Sequence, residues 1–347
     1  MTDDGFVWDV SGLRKLFPLR AGVLGSLLGK GQYVHAVDEI SFKIKRSEIL
    51  GIVGESGCGK TTTGRLLLRL EDPTDGSMLF HGTDIATLKG HALKDFRRRV
   101  QMIFQDPYES LNPRFTVMDT VAEPLLVHDV TDTIKAREDL VAQALEHAEL
   151  EPASQFLYRY PHELSGGQRQ RVAIARAIVL QPEFVVADEP VSMLDVSIRA
   201  GVMNLLLRLR DEFSLTLLFI SHDVGVTRYM SDRIAVMYLG RIVELGSSED
   251  VIAKPLHPYT QALLTSVPVP DPRFQRGRAQ IKGELPSPIN LPSGCTFHPR
   301  CPYAKDICKT TKPELREITP GHFAECHFAG EVGLEAPPGA PMEAPAP

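Results

Sequence analysis

The sequence predicts an α/β fold built around a parallel sheet, and three observations carry that prediction. Residues 49–53 (ILGIV) are continuously apolar and run into a glycine-rich loop. Residues 60–70 (KTTTGRLLLRL) follow the loop with leucines at helical spacing, and strand, glycine loop and helix in that order open a parallel α/β unit. Two further apolar runs, 183–188 (EFVVAD) and 215–220 (LTLLFI), read as strands buried on both faces.

The remaining elements follow in chain order. Residues 34–54 (VHAVDEISFKIKRSEILGIVG) offer two alternating apolar segments before the ILGIV strand. A strand at 99–104 (RVQMIF) ends at Gln105. Residues 116–150 are mostly helix-patterned, with Val121, Leu125, Leu140, Ala144 and Leu145 recurring at three and four, and are expected to form a helical insert. Residues 165–180 predict another helix, opened by Ser165 and two glycines. Residues 234–245 (IAVMYLGRIVEL) predict a hairpin turning at Leu239–Gly240. Near residue 254 the composition shifts to a proline- and cysteine-containing stretch that reaches about 328, and the closing EAPPGAPMEAPAP predicts disorder. There is no internal repeat.

Composition narrows the functional classes. A chain of 347 residues predicts a large domain plus a smaller one, and 43% apolar with 24% charged residues is ordinary for a globular core. The net charge of −6, with no dense Lys/Arg block, argues against nucleic acid as a partner. The longest apolar runs are strand-length, and the acidic N-terminus MTDDGFVWDV lacks the regions of a secretory signal, so a cytoplasmic location is expected. Of the 5 cysteines, Cys58 stands alone, while Cys295, Cys301, Cys308 and Cys326 crowd one stretch; a reducing cytosol disfavours disulfides, so the cluster reads first as a metal site.

Residues 54–61 (GESGCGKT) match the phosphate-loop pattern. Gly54, Glu55, Ser56, Gly57, Cys58 and Gly59 supply backbone N–H groups to wrap phosphates, and the helix beginning at Lys60, Thr61 and Thr62 faces the negative charge. Lys60 is expected to reach the β/γ-phosphates and Thr61 to offer its hydroxyl to Mg²⁺. Cys58 reads as a small spacer rather than a redox switch. The strand FVVAD then delivers Asp188 to its C-terminal end, where Asp188 can hold the Mg²⁺ shell and Glu189 can orient or deprotonate an attacking water. LSGGQ at 164–168 places a helix N-cap at Ser165, and Gly166 and Gly167 permit close approach of phosphate to backbone beside Gln168.

With that segment the chain resembles the ABC ATPase family, whose fold is a phosphate-loop NTPase core with an antiparallel β subdomain and a helical subdomain. The resemblance implies further roles. Gln105 is similar to the glutamine that senses Mg²⁺ and connects to a permease. SMLD at 192–195 resembles the loop whose Asp195 lies at a dimer contact, with Met193 replacing the more common alanine. His222 resembles the switch histidine at the γ-phosphate. The family stacks adenine on an upstream aromatic; Phe17 in LRKLF is favoured over Tyr33, with 19–33 read as an insertion. In the family the LSGGQ segment reaches across a dimer to ATP bound at the other subunit's loop. All the hydrolytic positions are filled with competent residues, which implies an active ATPase.

HPYTQALL at 257–264, GELPSP at 283–288 and GCTFHPRCPYAKDIC at 294–308 resemble the ATPase subunits of oligopeptide and dipeptide importers. The expected organisation is an ABC ATPase domain over 1–255 with 106–163 as its helical subdomain, a Cys-rich extension over 256–330, and a disordered tail over 331–347. The cysteines are spaced C-x₅-C-x₆-C-x₁₇-C, and four thiolates suit a [4Fe–4S] cluster or tetrahedral zinc. Zinc favours tight C-x₂₋₄-C pairs, so the spacing leans to the cluster, which some members of this importer group carry. The resemblance implies a second ATPase subunit, identical or homologous, two transmembrane permease subunits and an extracytoplasmic solute-binding protein, with this chain peripheral on the cytoplasmic face. Importers of this type also carry nickel complexes, glutathione, haem or oligosaccharides. The rival classes are soluble ABC ATPases of DNA repair or translation, exporter ATPases, and metal or redox sensors.

Overall fold

The computed structural model describes residues 5–19, 32–106, 110–266 and 283–331. The expectation of a disordered tail falls on 332–347, outside the described residues, as does most of the 19–33 insertion.

β1 (Phe6–Pro18) and β2 (Tyr33–Lys45) pair antiparallel, β3 (Ile49–Val53) begins a second sheet, and β4 (Asp75–Phe80) with β5 (Thr83–Asp84) completes the first in the order β2-β1-β4-β5. The two alternating segments predicted before ILGIV are one 13-residue strand. It bends at Glu39, whose φ of 56° breaks the pleat and lets apolar side chains either side of the bend reach the same core. The local sequence pattern of 6–18 does not announce β1. Its Trp8 is fully buried and links the sheets, with ring centroids 5.0 Å from Phe80 and 5.3 Å from Phe184.

The second sheet holds β6 (Val100–Ile103), β7 (Phe184–Asp188), β8 (Thr216–Ser221), β9 (Arg233–Tyr238), β10 (Arg241–Ser247), β11 (Arg316–Thr319) and β12 (His322–Ala324) beside β3. Its order is β11-β12-β10-β9-β3-β8-β7-β6. The stretch from β9 to β6 is parallel, as the apolar runs predict, and every residue of β3, β7 and β8 is buried. β9 and β10 form the expected hairpin; Leu239 and Gly240 both take positive φ, 44° and 79°, the geometry of a tight two-residue turn.

The helices are α1 (Lys60–Leu67), α2 (Gly90–Arg99), α3 (Val117–Val127), α4 (Ile134–His147), α5 (Gly166–Ile178), α6 (Val196–Phe213), α7 (Val224–Met230), α8 (Ser248–Ala253), α9 (Pro258–Ser266) and α10 (Asp306–Thr310). The helix-patterned stretch 116–150 is thus two helices, each opened by a threonine cap, Thr116 and Thr133. Their apolar faces share a core with Val172, Ala175 and Val179 of the α5 region, so the helical layer extends past 163 to lean on α5.

β12 pairs with β10 at Glu244↔Ala324 and Leu245↔Phe323, so the Cys-rich extension prolongs the second sheet rather than hanging from it. A buried ion network fastens it. Arg241 donates to Glu325 from Nε (2.8 Å) and Nη2 (2.9 Å) and to Asp38 Oδ2 from Nη1 (2.9 Å). Buried Glu244 accepts the backbone N–H groups of Leu256 (2.9 Å) and His257 (2.8 Å), which pins the HPYT segment.

Candidate functional site

The parallel strands point their C-terminal ends at one region, where open α/β sheets place ligands. β3 delivers the phosphate loop, β6 leads to Gln105, β7 ends at Asp188, and β8 leads to His222.

The loop's conformation is dictated by glycine. Gly59, the N-cap of α1, has φ of 108°, and a Cβ there would stand 2.1 Å from the Ala36 carbonyl oxygen. No other residue fits. Gly240 N–H donates to Cys58 O (2.9 Å), so the β9–β10 turn backs the loop as β2 does. Cys58 is buried, and burial raises its thiol above the ordinary value, which suits the spacer role. Ser56 and Gly57 are exposed at the loop tip, and Thr62 is half-buried in the first turn of α1. That turn leaves its N–H groups open toward the loop.

Lys60 lies folded into the loop, donating from Nζ to Gly54 O (2.8 Å) and Glu55 O (3.0 Å). Thr61 Oγ1 donates to Asp188 Oδ1 (3.1 Å), joining the two expected Mg²⁺ ligands. Burial raises the Asp188 carboxyl above its usual value; the Thr61 bond opposes this and the Glu189 charge adds to it. Thr61 and Asp188 therefore offer two hard oxygen donors at the mouth of the loop, which fits Mg²⁺.

Glu189 is the focus of the site. Its φ of 47° is left-handed, costly for a residue with a Cβ, and its N–H is fixed by Ile220 O (2.9 Å). Its Oε2 accepts Gln105 Nε2 at 3.0 Å and lies 3.1 Å from His222 Nδ1. Gln105, Glu189 and His222, chosen from three separate motifs, thus meet at one oxygen.

The signature segment is built as its spacing predicts. Ser165 caps α5 in a reciprocal box, Gln168 N donating to Ser165 Oγ (3.3 Å) and Ser165 N to Gln168 Oε1 (3.0 Å). Gly166 is half-buried in the first turn. Gly167 has a reason the sequence did not disclose: a Cβ there would stand 2.8 Å from Ile198 Cγ2, so glycine lets α5 close against α6. Among the described residues no hydrogen bond joins 164–168 to the phosphate loop of the same chain. Asp195 is exposed at the N-cap of α6, flanked by exposed Met193 (58%) and Val196 (79%).

Phe17 and Tyr33 turn out to be diagonal neighbours on one hairpin, in the pairs Phe17↔Val34 and Pro18↔Tyr33. Phe17 is half-buried with Lys15 Nζ 4.7 Å from its ring centroid, while Tyr33 is 45% exposed.

Cys295, Cys301, Cys308 and Cys326 line one cavity of about 20 Å³, with His257 and His298 also on its wall. Burial pushes the Cys295 thiol up to about 12 and the Cys301 thiol up to about 11. The donor set is that of a soft metal group. Among the described residues, however, no three His, Cys, Asp or Glu groups are arranged to hold a metal ion.

Two contacts at the loop join residues far apart in the sequence. Glu55 N donates to Tyr259 Oη (3.0 Å), and Arg300 Nη1 donates to Glu55 Oε2 (2.9 Å). The tyrosine of HPYT lies 204 positions from Glu55, and Arg300 lies 245 positions away.

The family model described as ABC transporter matches residues 37–192, and the model described as oligopeptide/dipeptide transporter, C-terminal region, matches 243–308. The oligopeptide transport ATP-binding protein AppF of Bacillus subtilis is 52% identical over 325 residues, covering 93% of this chain and 97% of that protein. A putative peptide import ATP-binding protein of Brucella ovis is 51% identical over 317 residues, covering 91% and 96%. Among solved structures, the ATP-binding cassette MJ0796, dimeric in a post-hydrolysis state with ADP and Pi, superposes with TM-score 0.60 at 29% identity, over 70% of this chain and 98% of that one.

Proposed function

The chain belongs to the ABC transporter ATP-binding subunits of the oligopeptide/dipeptide group, and on that premise we propose that it powers peptide uptake as one half of an ATP-sandwich dimer beneath a membrane permease. It binds ATP and is an ATPase. The observation that carries the mechanism is the meeting of Gln105 and His222 at Glu189 Oε2, beside the Thr61–Asp188 pair.

Lys60 gives up two carbonyl oxygens for the anionic β/γ-phosphates, a stronger charge-assisted bond. Thr61 and Asp188 hold Mg²⁺, whose charge offsets that of the phosphate oxygens. Glu189 accepts the proton of the attacking water or fixes its lone pair in line, and Gln105 and His222 hold the carboxylate aimed. Leu164–Gln168 of a second ATPase subunit, identical or homologous, closes over the γ-phosphate. Two facing helix N-termini are then neutralised by one anion, and hydrolysis removes the bridge. The exposed Met193 and Val196 around Asp195 support that dimer face.

A groove of about 200 Å³ lined by Leu70, Met102, Phe104 and Pro124 lies between the nucleotide core and the helical layer, and supports docking of a permease helix there. No described helix is long and apolar enough to cross a membrane, in keeping with peripheral attachment at the cytoplasmic face through two permease subunits. A solute-binding protein outside the membrane completes the system.

The gathering of Cys295, Cys301, Cys308 and Cys326 on one cavity wall favours a soft metal group there, read as a [4Fe–4S] cluster from the wide cysteine spacing, with zinc as the alternative. Iron analysis with absorption at about 400 nm in anaerobically purified protein tests this. The hydrolytic assignment is tested by Glu189→Gln: ATP still binds, and turnover falls by about 10²–10⁴-fold. Unchanged turnover refutes the role given to Glu189.

A further inference from the structure

Glu55, the second residue of the phosphate loop, is held at three atoms. Its N–H donates to Tyr259 Oη (3.0 Å), its carbonyl oxygen accepts Lys60 Nζ (3.0 Å), and its carboxylate accepts Arg300 Nη1 (2.9 Å). Two of the three holders come from the C-terminal extension rather than the cassette that owns the loop.

Neither holder is a casual surface contact. Arg300 is 8% exposed, a guanidinium buried that deeply needs a carboxylate partner, and among the described residues that partner is Glu55. Its guanidinium carbon also sits 5.8 Å from the ring centroid of Tyr238. Tyr259 is fully buried, packed 4.7 Å from Tyr238 and 5.4 Å from Phe297 between ring centroids. Its hydroxyl is thereby fixed in place before it meets the loop. The backbone of Arg300 is anchored too: its main-chain N–H donates to Phe297 O (3.0 Å), inside the turn that leads to Cys301.

We infer that Arg300 and Tyr259 are positioning residues for ATP binding. They fix Glu55, and through its carbonyl oxygen the resting place of Lys60, so that the loop is preshaped for phosphate only when the extension is folded against it. The inference rests on the reading that this loop binds ATP. A loop whose shape is set in advance loses less conformational freedom on binding, so the brace is worth affinity rather than chemistry. It also makes the extension a condition for tight nucleotide binding, not an appendage.

The test uses the full-length chain and Mg-ATP, with the equilibrium Kd from titration calorimetry and the thermal midpoint of each variant recorded beside it. Arg300→Ala and Glu55→Gln each raise Kd about tenfold, the scale of one lost charge-assisted hydrogen bond. The double variant is no weaker than either single by more than about twofold, because both remove one interaction. Arg300→Lys keeps most of the affinity, and Tyr259→Phe, which deletes a single acceptor, raises Kd by about threefold. If Arg300→Ala does not fold, Glu55→Gln and Tyr259→Phe decide. Variants that melt lower yet bind within about twofold of the parent reduce Arg300 to glue and overturn the brace alone. A parent that fails to bind Mg-ATP overturns the assigned function, and the brace with it.

Discussion

Replacing Arg241 by methionine removes the cation on which the extension is fastened to the cassette. Arg241 is 6% exposed; its partners Asp38 and Glu325 are 7% and 3% exposed. Breaking such a pair from one side costs about 3–5 kcal/mol, because the carboxylates stay behind without their counter-charge. Asp38 keeps Arg14 Nε at 3.2 Å and Lys312 at 3.7 Å, so Glu325 carries most of the loss. A loss of about 3 kcal/mol lowers the thermal midpoint by on the order of 10 °C in a chain of this size. Thermal unfolding followed by circular dichroism reads it. Adding Glu325→Leu to Arg241→Met should restore more than half of the loss, since no uncompensated buried carboxylate then remains on the extension side. A midpoint for Arg241→Met within about 3 °C of the parent, or no recovery in the double variant, refutes the reasoning.

Three further outcomes follow from the same structure. The Asp38 and Glu39 carboxyls lie below their ordinary values of 3.8 and 4.5. For Asp38, burial pushes upward but is outweighed by the bond and charge of Arg241, with Lys312 and Arg14; for Glu39 the Lys312 bond dominates. The ionised form of Asp38 therefore stabilises the fold in full above its ordinary value and ceases to do so as pH falls through the depressed one. The midpoint gap between parent and Asp38→Asn should close as pH falls below the ordinary value of 3.8, and a gap that widens there contradicts it. Gly59→Ala puts a Cβ against the Ala36 carbonyl at a left-handed φ, and Mg-ATP binding should vanish while the chain still melts cooperatively. Met193→Glu sets a charge on the exposed face beside Asp195 and should abolish ATP-dependent dimerisation, read by light scattering, with ATP affinity unchanged.

Most of the catalytic end of the molecule was legible because its signals are local. A strand, a glycine loop and a helix lie consecutively in 49–70, and the hairpin at Leu239–Gly240 carries its turn in two adjacent residues. His222 and Gln105 were picked out by their resemblance to the ABC ATPase family's motifs, and the sheet brings them to one carboxylate oxygen. What stayed hidden is held together by partners distant in sequence. β1 shows broken alternation around Gly12 and becomes a strand through pairing with β2 and β4 on either side. The extension's union with the main sheet rests on Glu244↔Ala324, a pairing no local pattern announces. Gly167 looked like a phosphate glycine, and only the proximity of Ile198 reveals its packing role. Arg300 reads in sequence as one more basic residue beside a cysteine; its meaning comes from Glu55, which the fold brings to it.

The most direct test asks which chain the signature segment touches when ATP is bound. A photo-crosslinker carried at Ser165 in the Glu189→Gln chain, within the assembled transporter, reports this once the linked peptide is identified by mass spectrometry. With Mg-ATP the label should join the phosphate loop of a second ATPase subunit, and with ADP that product should disappear. A label that stays within its own chain, or reaches the second loop equally well without ATP, contradicts the sandwich.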